Sequence, residues 1–219
     1  ERGAAALVWV RRFDVVEFAV VLEPDEPLAR ARRVLYAAMN ATADALTALA
    51  PPEKPVTFAW PDTILVDGGI IGGGRLLWPA DGSEDEVPDW LVAGFVLRNM
   101  IPHVRIGSAD GHALDELLVR GTSLATEGFE DFDGAAVIGG FARHLLVQID
   151  QWQAKGFGPV GEAFLARTPR PKRRSHGIDG NGDLLRRRLA DMKTVERHAL
   201  VAALAAPGWM DPQTQEPWL

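Results

Sequence analysis

The sequence predicts an α+β fold, with a mixed, mostly antiparallel sheet flanked by helices and a small C-terminal module. Three observations predict it. Short runs rich in Val, Ile, Phe and Trp, separated by glycine or acidic turns, fill residues 5–23 and 56–100. Two longer stretches, 27–49 and 129–156, instead carry apolar residues at three- and four-residue steps. A proline- and arginine-rich segment, 168–175, then sets off a last stretch with too little apolar material for a core of its own. Strands, helix, strands and helices in that order describe helices packed on an antiparallel sheet. The expected division is a main body over 1–168, and a linker with a docked module over 169–219.

Ala5 to Phe13 and Glu17 to Glu23 read as two strands, with Leu7, Trp9, Phe13, Phe18 and Val20 facing the core. From Pro27 to Leu49 the stripe Leu28, Ala31, Leu35, Ala38, Met39, Thr42, Leu46 and Leu49 predicts one helix. Arg30, Arg32, Arg33 and Asp44 fall off that stripe, as a one-sided helix requires. Ala50-Pro51-Pro52 stops it. Val56 to Trp60, Ile64 to Asp67, Ile70 to Trp78 and Trp90 to Met100 follow as strands, with an acidic loop over 81–88. Broken helical pieces are expected over 107–128. A long helix then begins at Asp131 or Asp133, whose carboxylate can cap it, and ends at Gly156. Its expected buried face is Val137, Phe141, Leu145, Ile149 and Trp152, and Gly158-Pro159 opens a shorter helix running to Arg167. The module should hold a hairpin around 179–183 and a helix from Lys193 to Ala205.

Composition narrows the function classes. There is no cysteine, which excludes disulfides, thiolate zinc sites and a cysteine nucleophile and fits a reducing compartment, so the cytoplasm is expected. Apolar runs fall short of the eighteen or so residues that cross a bilayer, and the start of the chain does not read as a signal peptide. Glu1 stands first rather than methionine, which leaves open what precedes it. The net charge of −7 divides into +3 over 170–219 and −10 elsewhere. An acidic body repels nucleic acid, and the Arg170–Arg174 cluster is too short to reverse that. Neither nucleic acid nor membrane is expected as a partner.

The most informative segment runs from Trp60-Pro61-Asp62 through Gly68-Gly69 to Gly72-Gly73-Gly74. Gly68-Gly69 is a hairpin turn. Three consecutive glycines inside a strand weaken it, so they mark a bulge, a tight corner or the close approach of a ligand. No Gly-Lys-Ser/Thr follows, and a phosphate loop is excluded.

This pair of strands resembles the Lys-Trp-Pro-Asn-Asp strand, turn and Lys-Leu-x-Gly strand of the biotin and lipoate protein ligases. Other segments fall in that family's order. Arg2-Gly3 resembles the start of its arginine- and glycine-rich loop, and Trp90 to Gly94 the strand that leads to its Gly-Ile-Asn. Residues 122–128, the helix after them and Gly156-Phe157-x-Pro159 resemble the end of its catalytic domain. Gly177-Ile178-Asp179-x-x-Gly182-x-Leu184 resembles a turn of its C-terminal domain. The resemblance implies a site for biotin, lipoate or octanoate, or the adenylate of one of them, with ATP and magnesium as co-substrates and a biotinyl or lipoyl carrier domain as acceptor. The residues it assigns to binding are Arg2, Gly3, Trp60, Pro61, Asp62, Ile70, Gly72, Gly73, Gly94 and Arg98, with Trp60 as a wall of the pocket.

The cationic positions depart from the family. Ile70 stands where the family has the lysine that steadies charge developing on the carboxylate, and a preorganised cation there is worth several kcal/mol. Ala59 replaces the lysine before Trp-Pro, and Thr63 the aspartate that helps hold magnesium. Arg75 lies roughly 13–17 Å further along the strand than the replaced lysine and cannot substitute for it directly. These departures argue for impaired adenylation. Two alternatives stay open: an active ligase or octanoyl or lipoyl transferase that uses Arg75, Arg98 or residues ahead of Glu1, and a regulatory or interaction protein, homodimer included, on the same scaffold. Its tail, Trp209 to Leu219 with two tryptophans, is read as exposed, to dock on a partner or simply on its own body.

Other candidates carry less. Asp179-x-Asn181-x-Asp183 opens like a calcium loop, but Leu184 and Ala190 stand at later ligand positions, so a turn is expected. His103, His112, His144, His176 and His198 show no metal spacing. Ser83, Ser108 and Ser123 lack a nucleophile-elbow context.

Overall fold

The computed structural model describes residues 6–101, 121–129, 133–169, 174–188 and 191–218. Arg2, Gly3, His103, His112, Ser108, Asp131 and most of the stretch expected as broken helices lie outside the described residues.

The main sheet is built from β1 (Leu7–Arg11), β2 (Val15–Leu22), β3 (Val56–Ala59), β4 (Thr63–Val66), β5 (Gly69–Leu77) and β6 (Leu91–Arg98). Their spatial order is β1-β2-β6-β5-β4-β3, antiparallel at every pairing, with one parallel bridge from Ile70 to Gly121. Successive side chains on a strand alternate faces, which makes this sheet two different surfaces. Phe18 and Val20 of β2, Ala93, Phe95 and Leu97 of β6, and Leu76 of β5 are buried on one face. That face carries the helices α1 (Leu28–Ala31), α2 (Val34–Thr47), α3 (Gly134–Lys155) and α4 (Gly158–Ala166). Phe141 of α3 reaches Phe18 and Phe95, with ring centroids 4.8 and 5.6 Å apart. Burying one such side chain contributes roughly 1.5–3 kcal/mol.

The stripe over 27–49 does not form one helix with a wet face. The chain breaks at Arg32-Arg33, and every residue of α2 from Val34 to Leu46 except Asp44 is buried, because α2 lies between the sheet, α3 and α4. Arg32 and Arg33, expected in solvent, are buried because each meets both a carboxylate and a ring. Arg32 binds Glu84 at 2.5 Å and lies 4.5 Å from the Trp78 ring. Arg33 pairs with Glu26 and stacks on Trp152 and Phe157. Phe13, expected inside, is 72% exposed at the β1–β2 turn. Asp133 caps α3 through Ala135 N at 2.9 Å, and Gly156 ends that helix at φ 76°.

The module is a three-stranded sheet of β7 (Arg174–Ile178), β8 (Leu184–Arg188) and β9 (Asp191–His198), followed by α5 (Leu200–Leu204). The expected hairpin around 179–183 is present. The expected helix over 193–205 is not: its first half is β9, paired along the edge that β8 offers, and only 200–204 are helical. Asp179 and Asp183 serve the turn and its surroundings. Asp179 Oδ1 accepts from the backbone of Asn181 and Asp183, and Asp183 accepts from Arg197 and the Leu200 amide. Tyr36 fastens the module to the body: its hydroxyl donates to Gly182 O at 2.5 Å and accepts from Trp60 Nε1 at 2.9 Å. Gly182 holds φ +88°, and a Cβ there would press on Leu200, so this position requires glycine. No helix among the described residues is long and apolar enough to cross a membrane.

Candidate functional site

The open face of the sheet, opposite the helices, carries the site. Across it the register aligns Val8, Ala19, Gly94 and Arg75 in one row, and Val10, Glu17, Val96 and Gly73 in the next. Small side chains in the middle of a row flanked by longer ones leave a trough. It forms a cavity of about 420 Å³ bounded by Val8, Val10, Glu17, Arg75, Val96 and the tail residues 214–216. Such a volume suits a small organic acid. Arg75 is half-buried there, with the Met210 sulfur 3.8 Å from Nη1 and no carboxylate at ion-pair distance among the described residues. A cation held in a partly apolar trough favours an anionic group beside it.

The tail closes one end of this face. Of the two dockings left open for it, on a partner or on its own body, the structure has the second: Trp209 is fully buried and Met210 nearly so. Residues 209–218 fold back as a small hairpin, with Met210 bridged to Pro217 and Trp218 N donating to Trp209 O at 3.0 Å. Apolar burial drives this: the indole lies against Gly73, where a Cβ would collide with both Trp209 and Asp62 O. Arg98, 4% exposed, donates through Nη2 to Pro217 O, and Arg12 binds Glu216 at 2.7 Å. Sequence reasoning placed no tail residue in the site. The signal available was the pair of tryptophans near the C-terminus, which a chain rarely leaves in water.

Asp62 sits beneath the hairpin at 1% exposure, and burial pushes its carboxyl up to about 7. Trp209 and Thr63 lie close enough to offset part of that rise. Even so, Asp62 Oδ2 and Trp209 Nε1 both lack a hydrogen-bond partner of good geometry among the described residues.

The strand pair at the centre of the sequence reading is in place: Thr63 faces Gly73 and Ile64 faces Gly72, with a bulge at Ile71. The glycines do different work. Gly72, at φ +144°, and Gly73 let backbone and Trp209 approach, whereas Gly74 turns to the helix face against Phe95, Met39 and Leu35. Pro61 follows a cis peptide bond and is buried. Trp60 does not wall the trough: its indole turns to Tyr36 and to His198, 6.3 Å away between centroids, at the junction with the module. Ile70 bridges Gly121 at the end of β5 away from Arg75, and Lys54, beside that corner, is committed to Asp67 and Glu127 at 2.7 and 2.9 Å. So Asp62, Gly73, Gly94 and Arg98 share one face with Arg75, whereas Trp60 and Ile70 stand apart from the trough.

These described residues do not fit magnesium–ATP. Ala59, Thr63 and Ile70 offer no charge, Asp62 is buried with a raised pKa, and Arg98 is turned to a carbonyl.

The family model described as "Biotin/lipoate A/B protein ligase family" matches residues 1–166, three quarters of the chain. The chain belongs to that family. A biotin–[acetyl-CoA-carboxylase] ligase of Paracoccus denitrificans is 28% identical over 184 residues, covering 77% of this chain and 67% of that protein. A biotin protein ligase-like protein of unknown function from Silicibacter sp. TM1040 has a crystal structure that superposes with a TM-score of 0.72 at 26% identity, covering 90% of this chain and 83% of that one. Biotin protein ligase from Aquifex aeolicus has the same fold, at a TM-score of 0.62 and 13% identity over 84% of this chain and 80% of its own. The α+β sheet flanked by helices is therefore the ligase-family fold, and the strand pair from Trp60 to Gly74 lies inside the matched region.

Proposed function

We propose that this protein binds a small carboxylic acid of the biotin, lipoate or octanoate class, or its adenylate, on the open face of the main sheet, and that its adenylation chemistry is impaired. One observation carries the reading: the half-buried guanidinium of Arg75 has no carboxylate of the described residues at ion-pair distance and stands beside a trough floored by Ala19 and Gly94. A carboxylate supplies the missing charge, and an acyl chain or ring lies over the two small residues against Val8, Val10 and Val96. Family membership supports the ligand class. The relatives named as biotin ligases support biotin among the candidates.

Impairment follows from charge. Forming an acyl-adenylate from a carboxylate and ATP gathers negative charge, which needs fixed cations in a dry site. Ile70 provides none, and Lys54 is held by two carboxylates. Isothermal titration with biotin, lipoate and octanoate should detect binding of at least one, weakened about tenfold or more by Arg75→Ala. Incubation with ATP and a biotinyl or lipoyl carrier domain should leave the domain unmodified above the uncatalysed background. No heat with any acid would remove the binding reading, and ATP-dependent modification of the carrier would remove the impairment.

A further inference from the structure

We propose that the hairpin Trp209–Trp218 is a displaceable plug on the ligand face, and that an acid of the class named above binds by lifting it. The inference rests on the reading that the open face is the ligand site.

The first support is what the hairpin covers. Trp209 lies on Gly73 and beside Asp62, and Pro217 O takes the Arg98 guanidinium. Three of the residues expected from sequence to bind ligand are thus contacted by the chain's own tail. With the hairpin away, the trough at Gly94 runs on to Gly73, and Arg98 joins Arg75 as a second cation on the same face.

The second support is the quality of the contact. A permanent core contact pairs nearly all its buried polar atoms. Here Arg98 Nε is buried without a hydrogen-bond partner among the described residues, and Asp62 Oδ2 and Trp209 Nε1, close to one another, fall short of good hydrogen-bond geometry. All three side chains are at least nine-tenths buried. Their donors and acceptor are those a bound carboxylate or amide would use: Arg98 Nε donates to an anion, and a protonated Asp62 donates to a carbonyl. The closed state is complementary in shape and imperfectly paired in polarity.

The third support is how the hairpin is held. Its backbone bonds are largely its own, from Gln215 N to Asp211 O and from Asp211 N to Glu216 O, both at 2.8 Å, so it can move as a unit. At its rim it is tied to the sheet by the half-exposed Arg12–Glu216 pair, a kind of contact that is weak in water. A ligand that runs from the trough onto Gly73 competes with the hairpin for that surface, and its apparent affinity falls by the fraction of time the face is open.

Hydrogen exchange on the 219-residue chain tests this. Without ligand, the amides of Asp211, Gln215 and Trp218 should exchange on the order of 100-fold faster than those of β6, through local opening. Adding octanoate should speed them by about threefold or more, because the bound state holds the hairpin off. In titrations, Trp209→Ala should bind octanoate about tenfold more tightly than the natural chain. Hairpin amides as protected as β6, hairpin amides slowed by octanoate, or weaker binding by Trp209→Ala would each make the hairpin a fixed wall and overturn the plug. Should the variant fail to fold, the exchange measurement on the unmodified protein decides alone. If neither protein takes up octanoate, biotin or lipoate, the ligand reading falls and the plug with it; binding accompanied by slow hairpin exchange sinks only the plug.

Discussion

The two faces of the main sheet come from the same strands yet follow different rules. On the helix side, Phe18, Phe95 and Leu97 meet α2 and α3 in an apolar contact that leaves each of them no more than 2% exposed. On the other side, Glu17, Ala19, Gly94, Val96 and Arg75 stay half-exposed under a hairpin whose polar atoms are poorly matched. Stability is concentrated on one face, and small size and charge on the other. Because strand residues alternate, a single stretch such as Ala93-Gly94-Phe95 serves both.

Substitutions can break this contrast, beginning on the helix face. Phe141→Ala removes a ring that touches Phe18 and Phe95 and should cost about 3–5 kcal/mol in urea unfolding while leaving the open face intact. A loss under about 1 kcal/mol would mean that the helix side is not the stability-bearing one.

Asp62 gives the next effect, read against pH. Its carboxyl is raised from 3.8 to about 7 by burial, so between those values the folded protein holds a proton that the unfolded chain has lost. Stability should therefore be fullest below about pH 4 as far as this group is concerned, and should fall by about 2–4 kcal/mol as pH rises through 7. Asp62→Asn should flatten that slope in unfolding curves at pH 5 and pH 8. An unchanged slope would mean that Asp62 ionises freely beneath the hairpin.

At the junction with the module, Tyr36→Phe deletes the hydroxyl that links Trp60 to Gly182, and a loss of about 1–2 kcal/mol is expected from the unpaired groups it leaves. The smallest structural effect belongs to the trough. A Cβ at Gly94 would meet nothing nearer than 3.8 Å, so Gly94→Val should change stability by less than about 1 kcal/mol. The added side chain would nonetheless fill the trough, so titration should show ligand affinity falling by about tenfold or more. Undiminished affinity would place the ligand elsewhere.

Much of the fold was legible because strand alternation and glycine turns are local. The strands from Val56 to Arg98, the Asp133 cap and the Gly156 stop all follow from short-range rules. What escaped depended on distant partners. Arg32 and Arg33 are held at the break by Glu84, Glu26, Trp78 and Trp152, of which only Glu26 is near in sequence. β9 reads as a helix until β8 offers it an edge. Of the residues assigned to binding by resemblance, Gly73, Asp62, Gly94 and Arg98 share a face, whereas Trp60 turns to Tyr36 because the module brings Gly182 and His198 to that side. Arg75, judged too far along β5 to replace a lysine, lines the trough without an ion pair among the described residues, since the trough itself lies further along the same strand than Ile70.

A crystal structure of the full chain soaked with octanoate tests the central claim most directly. The account predicts density along β6 over Gly94, with the carboxylate within about 3 Å of the Arg75 guanidinium. Density confined to the groove between Arg33 and Trp152, with the trough beside Arg75 left to solvent, would contradict it.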